Sequence, residues 1–376
     1  MRLTARQLNR ATLHRQLLLQ RASTGVADAV RRVVALQAQE PASPYIALWN
    51  RVTPFDPAHL DAAFADRSVV KATLMRITLH AVEAADYPPF HAAMVHSLRA
   101  SRLYDRRFKE TTLSIAEVDA LLPDVLAFAA QPRTRVEVEA LLDERLGDRR
   151  ERAWWALRTF APLWHAPTGG PWSFNARGSF VAAVGTLPTE SRDASIRWLA
   201  RRYLEGFGPA SPADFAQFTL LTRAMAREAM LALGNDLVQL EGPDGSALFD
   251  VAGADVPAED TPAPPRLLPM WDSTLLAYAD RSRIIPPDHR RLVIRMNGDV
   301  LPTLLVDGHV AGVWRPVEGG IEATAFNPLA DDAWAGLAAE ATALVAFLAD
   351  REPTVYRRYA HWWGRLAGAE VRVLTG

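Results

Sequence analysis

Apolar residues recur at helical spacing from Leu3 to Leu19 and again from about Val26 to Leu36, before Pro41 and Pro44 interrupt the pattern. Asp56-Pro57 then reads as a helix cap with proline at the first helical position, opening a short helix to Phe64. The β-rich run Val69 to Leu74 and the alternating run Arg76 to Val82 predict adjacent strands. Helices followed by a strand pair make a winged-helix pattern, and the same shape recurs twice. Helices are expected over Ser114–Ala130, Thr134–Leu146 with a Gly147 stop, and Glu151–Leu163, after which Leu163-Trp164-His165 and Phe180 to Ala183 flank a Gly/Pro-rich wing. A third set runs Ala194–Glu205, restarts at Ser211-Pro212-Ala213-Asp214, continues through Thr222–Leu233, and ends in a hairpin, Leu237–Leu240 and Ala247–Val251, around Pro243-Asp244-Gly245.

Four prolines in residues 252–265 predict a surface connection. Beyond it, Leu292–Met296, Leu301–Val306 and Val310–Trp314 alternate as a meander, with Asn297-Gly298 and Asp307-Gly308 as tight turns. Helices at Trp334–Leu348 and Tyr356–Leu366 and a strand at Val371–Leu374 close the chain. The expected fold is therefore mainly α with small β-hairpins and a β-meander, in tandem winged helix-turn-helix modules. The expected segments are 1–110, 111–186, 187–252 and a C-terminal unit at 253–376.

Composition narrows the chemistry. The 376 residues contain no cysteine, which excludes disulfides, thiolate nucleophiles, Cys-type zinc and iron–sulfur clusters. No signal peptide or run of about 18 apolar residues appears, so a cytoplasmic protein without membrane contact is expected. The net charge of −1 hides an uneven distribution, since basic residues outnumber acidic ones in the first 110 positions while nine acids oppose only Arg266 between 230 and 280. A basic N-terminal third suits a partner rich in phosphate, although a solvated surface gives the same count.

Sequence signatures of a zinc protease, a phosphate loop, a dinucleotide fold and a nucleophile elbow are all missing. His91 and His96 lie five apart, which does not place two imidazoles on one metal-binding helix face, so they read as structural and no metal or cofactor is expected. Trp154-Trp155 and Trp362-Trp363 read as core anchors more readily than as base-stacking platforms.

The segment Arg31-Arg32-Val33-Val34-Ala35-Leu36-Gln37-Ala38-Gln39-Glu40-Pro41 resembles the signature of the AlkZ-like winged-helix DNA glycosylases. Further matching stretches are Ile77-Thr78-Leu79-His80, Tyr203 to Ala210 with Asp214-Phe215, Leu267 to Asp272, Ala279-Asp280-Arg281, and Leu301 to Gly308. The resemblance extends over most of the chain, from about residue 4 to residue 350. The resemblance implies a C-shaped molecule whose basic concavity holds double-stranded DNA, with catalytic Gln37 and Gln39 facing an N7-alkylated purine. Glutamine at both positions points to the self-resistance branch that unhooks azinomycin-type interstrand crosslinks, and a monofunctional, monomeric enzyme is implied. Taken alone, Gln-x-Gln reads as helix capping or phosphate binding.

Glycoside hydrolysis ordinarily needs a carboxylic acid for the leaving group and a carboxylate for the nucleophile. A purine alkylated at N7 already carries positive charge, so no acid is required, and amides that place a water beneath C1′ suffice. Residues two apart face one side only in extended backbone, and Pro41 discourages helix immediately before it. Glu40 is a lesser candidate for general base. The run Arg99, Arg102, Arg106, Arg107 and Lys109 reads as a phosphate clamp or as a solvated helix face. By resemblance the hairpin turn at Asp307, Gly308 and His309 approaches the DNA minor groove, although a structural turn is as good a reading of His309. Competing functions are a winged-helix transcription regulator without catalysis, which would normally dimerise, and a broader alkylpurine repair glycosylase.

Overall fold

The computed structural model describes residues 1–183, 191–366 and 369–375. The expected boundary at 186/187 lies outside these described residues. Helix starts follow the capping chemistry of the sequence. Thr4, Ser114, Thr134 and Ser211 each accept a hydrogen bond from the backbone three residues on, and the side-chain oxygens of Gln7, Glu117, Glu137 and Asp214 accept one from the backbone N–H of the cap. The corresponding helices are Ala5–Arg15, Ile115–Phe128, Arg135–Leu146 and Pro212–Thr219. Helices also form at Ser43–Trp49 and Tyr87–Leu103, and at Arg192–Phe207 and Arg223–Leu231.

The strands expected for the first two modules do not stay in separate hairpins. They join one antiparallel sheet in the order Leu36–Gln37, Leu79–Glu83, Val69–Thr73, Leu163–Ala166, Ser179–Ala182, Arg133–Thr134. The link between the modules is a single pairing of Lys71 with His165. Arg76, expected in a strand, instead lies in a tight turn with φ of 54°, and the strand begins at Leu79.

A second sheet runs Glu370–Thr375, Gly320–Ala325, His309–Val317, Thr303–Val306, Arg266–Leu268. The meander is present, but Leu292–Met296 is not one of its strands. Arg290–Val293 is a short helix, and Ile294 makes only an isolated bridge to Val300 across the Asn297-Gly298 turn. Arg266–Leu268 pairs with Thr303–Leu305 and takes the edge that Leu292–Met296 would have needed. The hairpin Leu237–Glu241 with Ala247–Val251 forms as expected, with Gly245 at φ 83°.

Packing crosses the expected segments. One core joins Leu13, Val30, Ile46 and Leu60 to Leu268, Trp314, Leu337 and Leu344. The other joins Val34, Val70 and Phe90 to Leu157, Phe207 and Tyr278. Fully buried Arg51 clamps the first segment to the last, donating from Nη1 and Nη2 to the Asp272 carboxylate at 2.9 Å each. Asn50 Nδ2 donates to the Leu267 carbonyl at 2.8 Å. The helix Asp331–Ala349 is long and apolar enough to cross a membrane. Here it buries Trp334, Leu337, Ala341, Leu344 and Leu348 in the first core instead.

Candidate active site

The Gln-x-Gln segment is extended because the helix before it stops early. Val26–Val33 ends at Val34, which has φ of 72° and ψ of −53°, a conformation strained for a β-branched residue. Its surroundings hold it there. A Cβ on Gly206 would sit 2.5 Å from Val34 Cγ2, so only glycine leaves room for the turn. Arg202 Nη2 donates to the Arg31 carbonyl, and Ser273 Oγ donates to the Ala35 carbonyl at 2.8 Å. The break thus comes from packing at Val34, three residues before Gln37, and Pro41 is not needed to cause it.

Leu36 then pairs with Ala81 and Gln37 with His80, and Ala38 N–H donates to the Leu79 carbonyl at 2.8 Å. Leu36 and Ala38 are buried in the core, so Gln37 faces the opposite side of the two-residue strand, and Gln39 follows in a bend just beyond it. Gln37 is itself buried, whereas Gln39 is exposed and its amide makes no hydrogen bond among the described residues.

Arg76 Nη2 donates to Oε1 of Gln37. A guanidinium has no acceptor, so the contacting atom must be the amide oxygen, and the orientation of Gln37 is fixed by chemistry. The same Nη2 lies 3.4 Å from His80 Nε2. His80 Nδ1 donates to the Thr78 carbonyl at 3.1 Å, which leaves the Nε2 lone pair to face the guanidinium. Burial first, and Arg76 second, push the His80 imidazole down to about 3, so it is neutral and accepts. Burial, with help from Arg281, also draws the Arg76 guanidinium below its ordinary value, and no carboxylate pairs with it among the described residues. Arg76 Nη1 is buried without a hydrogen-bond partner. Arg76 and His80 are the site residues that sequence reasoning missed as functional groups. His80 stood in a matching stretch, but the register that sets it against Gln37 is invisible in one sequence.

Glu40 is half-buried and ion-paired to Arg358 at 2.6 Å. Burial raises its pKa against the opposing pull of Arg358 and a hydrogen bond from Tyr359. Lys71, buried nearby with its ammonium 4.3 Å from the centre of the Phe174 ring, is brought down to about 8 by burial despite the charge of Glu40.

The other expected contacts are scattered in their commitments. Arg99 makes a two-pronged pair with Asp119 at 2.7 and 2.9 Å, Arg107 holds Asp105, and Arg106 holds Glu110 at 3.1 Å. Arg102 and Arg107 both stack on Trp155, at 4.7 and 4.8 Å. Arg102 and the exposed Lys109 have no carboxylate partner among the described residues. At the hairpin turn, Asp307 binds Arg6 through both oxygens and also binds fully buried Arg10. Asn9 Nδ2 donates to the Gly308 carbonyl at 2.8 Å, and His309 Nδ1 to that of Asp307 at 3.1 Å. Asp307 and Gly308 therefore fasten this turn to the first helix. Among the described residues no three His, Asp or Glu side chains gather as a metal site.

One sheet-paired amide, Gln37, beside an acid-free guanidinium, with the amide of Gln39 exposed just past the strand, is the site that a helical protein with small antiparallel sheets builds here. The sequence model described as DNA glycosylase AlkZ-like matches residues 30–347, and the chain belongs to this family of DNA glycosylases. It is similar to a Streptomyces sahachiroi protein named interstrand DNA cross-link repair glycosylase, with 26% identity over 349 residues covering 87% of this chain and 91% of the relative. The solved structure of Streptomyces sahachiroi DNA glycosylase AlkZ shares the fold, with a TM-score of 0.80 at 23% identity over 92% of this chain and 96% of that one.

Proposed function

We propose that this DNA glycosylase hydrolyses the N-glycosidic bond of N7-alkylated purines in double-stranded DNA, and that it unhooks interstrand crosslinks of the azinomycin type. The observation that carries the reading is Gln37 held on an extended strand with the exposed Gln39 two residues on, and with Glu40 committed to Arg358. Neutral amides without a nearby free acid suit a leaving group that is already cationic. The electron pair of the breaking N9–C1′ bond neutralises the purinium, a water oxygen bonds to C1′, and the water's spare proton passes to solvent.

The relative's name supports crosslinked DNA as substrate. A crosslinked guanine is tethered to the opposite strand and cannot swing fully into a pocket, so the enzyme acts on a stacked duplex rather than on a flipped base. No lysine or N-terminal amine is assigned to the sugar, and the product is an intact abasic site. The protein acts as a monomer through winged-helix modules, and Arg102 and Lys109 are the cations of the proposed phosphate clamp that have no carboxylate partner among the described residues. The test is incubation of the purified protein with a duplex bearing one N7-methylguanine, followed by alkali. Strand scission only after alkali supports the reading, and an uncleaved duplex overturns it.

A further inference from the structure

Gln37 and Gln39 have the same side chain, but the structure does not leave them the same functional groups. Gln37 Oε1 accepts from Arg76, whose guanidinium is braced by neutral His80 and covers the oxygen end of the amide. The free end of Gln37 is its amino group. Gln39 is exposed with both ends of its amide uncommitted among the described residues.

We infer that Arg76 is a positioning residue that makes Gln37 a dedicated hydrogen-bond donor, so that the nucleophilic water accepts from Gln37 Nε2 and donates to the Gln39 carbonyl. The inference rests on the function proposed above. A water held by one donor and one acceptor has its second lone pair free for C1′. As the O–C1′ bond forms and the C1′–N9 bond breaks, the acidifying water proton points at the Gln39 oxygen and is handed on to bulk water. The arrangement also manages charge. A bare guanidinium beside a developing oxocarbenium ion opposes it, whereas here the Nη2 donors point at the Gln37 oxygen and the His80 lone pair. Packing of Arg76 on the Phe218 ring, 5.4 Å from its centre, and the left-handed backbone at Arg76 fix its direction.

Division of labour makes the two glutamines respond oppositely to one substitution. Gln39→Glu keeps an acceptor and adds a base, so single-turnover excision of N7-methylguanine should stay within about tenfold of the parental rate. That variant should also gain an acidic limb in its pH profile that the parental enzyme lacks. Gln37→Glu would pair its carboxylate with Arg76 and offer no N–H, so the rate should fall on the order of a hundredfold. Arg76→Met should lower the single-turnover rate by roughly ten- to a hundredfold at unchanged DNA affinity, and Arg76→Lys should restore part of it. Circular dichroism melts report whether Arg76→Met folds. If it does not, the comparison of Gln37→Glu with Gln39→Glu still decides. Equal rates for the two glutamate variants, or a folded Arg76→Met at the parental rate, overturn the inference. A parental enzyme that leaves N7-methylguanine intact overturns the proposed function itself.

Discussion

Replacing Asp307 by alanine separates a fold-holding turn from a DNA-reading one. The carboxylate takes two bonds from Arg6, at 2.6 and 2.9 Å, and one from Arg10. Arg6 is about half exposed, and its pairing contributes at most about 1 kcal/mol. Arg10 is fully buried. Its loss of a carboxylate leaves a buried cation, a change that costs about 3–5 kcal/mol when nothing else compensates. Here three acceptors remain: Asn9 Oδ1 at 2.6 Å, the Thr261 carbonyl at 2.7 Å and the Asp307 carbonyl at 3.1 Å. They offset part of the loss, so Asp307→Ala should destabilise the protein by about 2–3 kcal/mol. Although partial burial acts to raise the Asp307 pKa, the two arginines outweigh it and hold the carboxylate below its ordinary range. Its stabilising effect is thus complete above pH ~4 and fades as the solution is acidified through the lowered folded value, where parent and variant should converge. The assay is urea unfolding at pH 7 and pH 3 beside a DNA-binding titration. An unchanged unfolding midpoint at pH 7 combined with weakened DNA binding would refute the docking role and return Asp307 to the minor groove.

Gln37→Ala and Gln39→Ala should each slow excision on the order of a hundredfold with DNA affinity retained; parental rates in both would remove the pair from catalysis. Burial holds His80 and His165 at about 3, below the ordinary 6.5, so the stability they preserve is complete above pH 6.5 and falls as pH drops towards 3. Each contributes a slope of up to about 1.4 kcal/mol per pH unit in that window, and His165→Gln should flatten the urea midpoint against pH. Charge reversal at Arg106 and Arg107 together should weaken DNA binding with little sequence dependence, and binding at the parental level would remove them from the clamp. Excision should persist in excess EDTA, and loss restored by one added metal would expose a metal site.

Local chemistry was legible and long-range register was not. Capping residues such as Ser211 with Asp214 placed helix starts to within a residue or two, and Asp307-Gly308 and Asp244-Gly245 marked real turns. Periodicity failed where packing overrode it. Val34 looks like one more residue of an apolar helix, and only Gly206, 172 positions later, explains why the helix ends before it. Arg76 fits an alternating strand by pattern but adopts a left-handed turn, which is what aims it at Gln37. The Gln-x-Gln pair was found by resemblance, since its spacing alone carries no chemistry. Its partners Arg76 and His80 come from the pairing of two strands more than forty residues apart, and a single sequence does not encode that pairing in any local signal.

The core that joins Leu13 and Ile46 to Leu268, Trp314 and Leu344 also sets the order in which the chain can become a protein. During synthesis the first helices emerge long before residues 267–374 exist, so their apolar faces wait uncovered while some two hundred intervening residues are made. Contacts of such sequence separation close slowly, because loop entropy is lost before burial compensates it. The N-terminal third, glutamines included, is therefore not a detachable enzyme. A chain cut short of Trp314 should emerge with Arg51 lacking the finished wall that shields it and with an open apolar groove, a species fit for chaperones or proteases rather than for DNA.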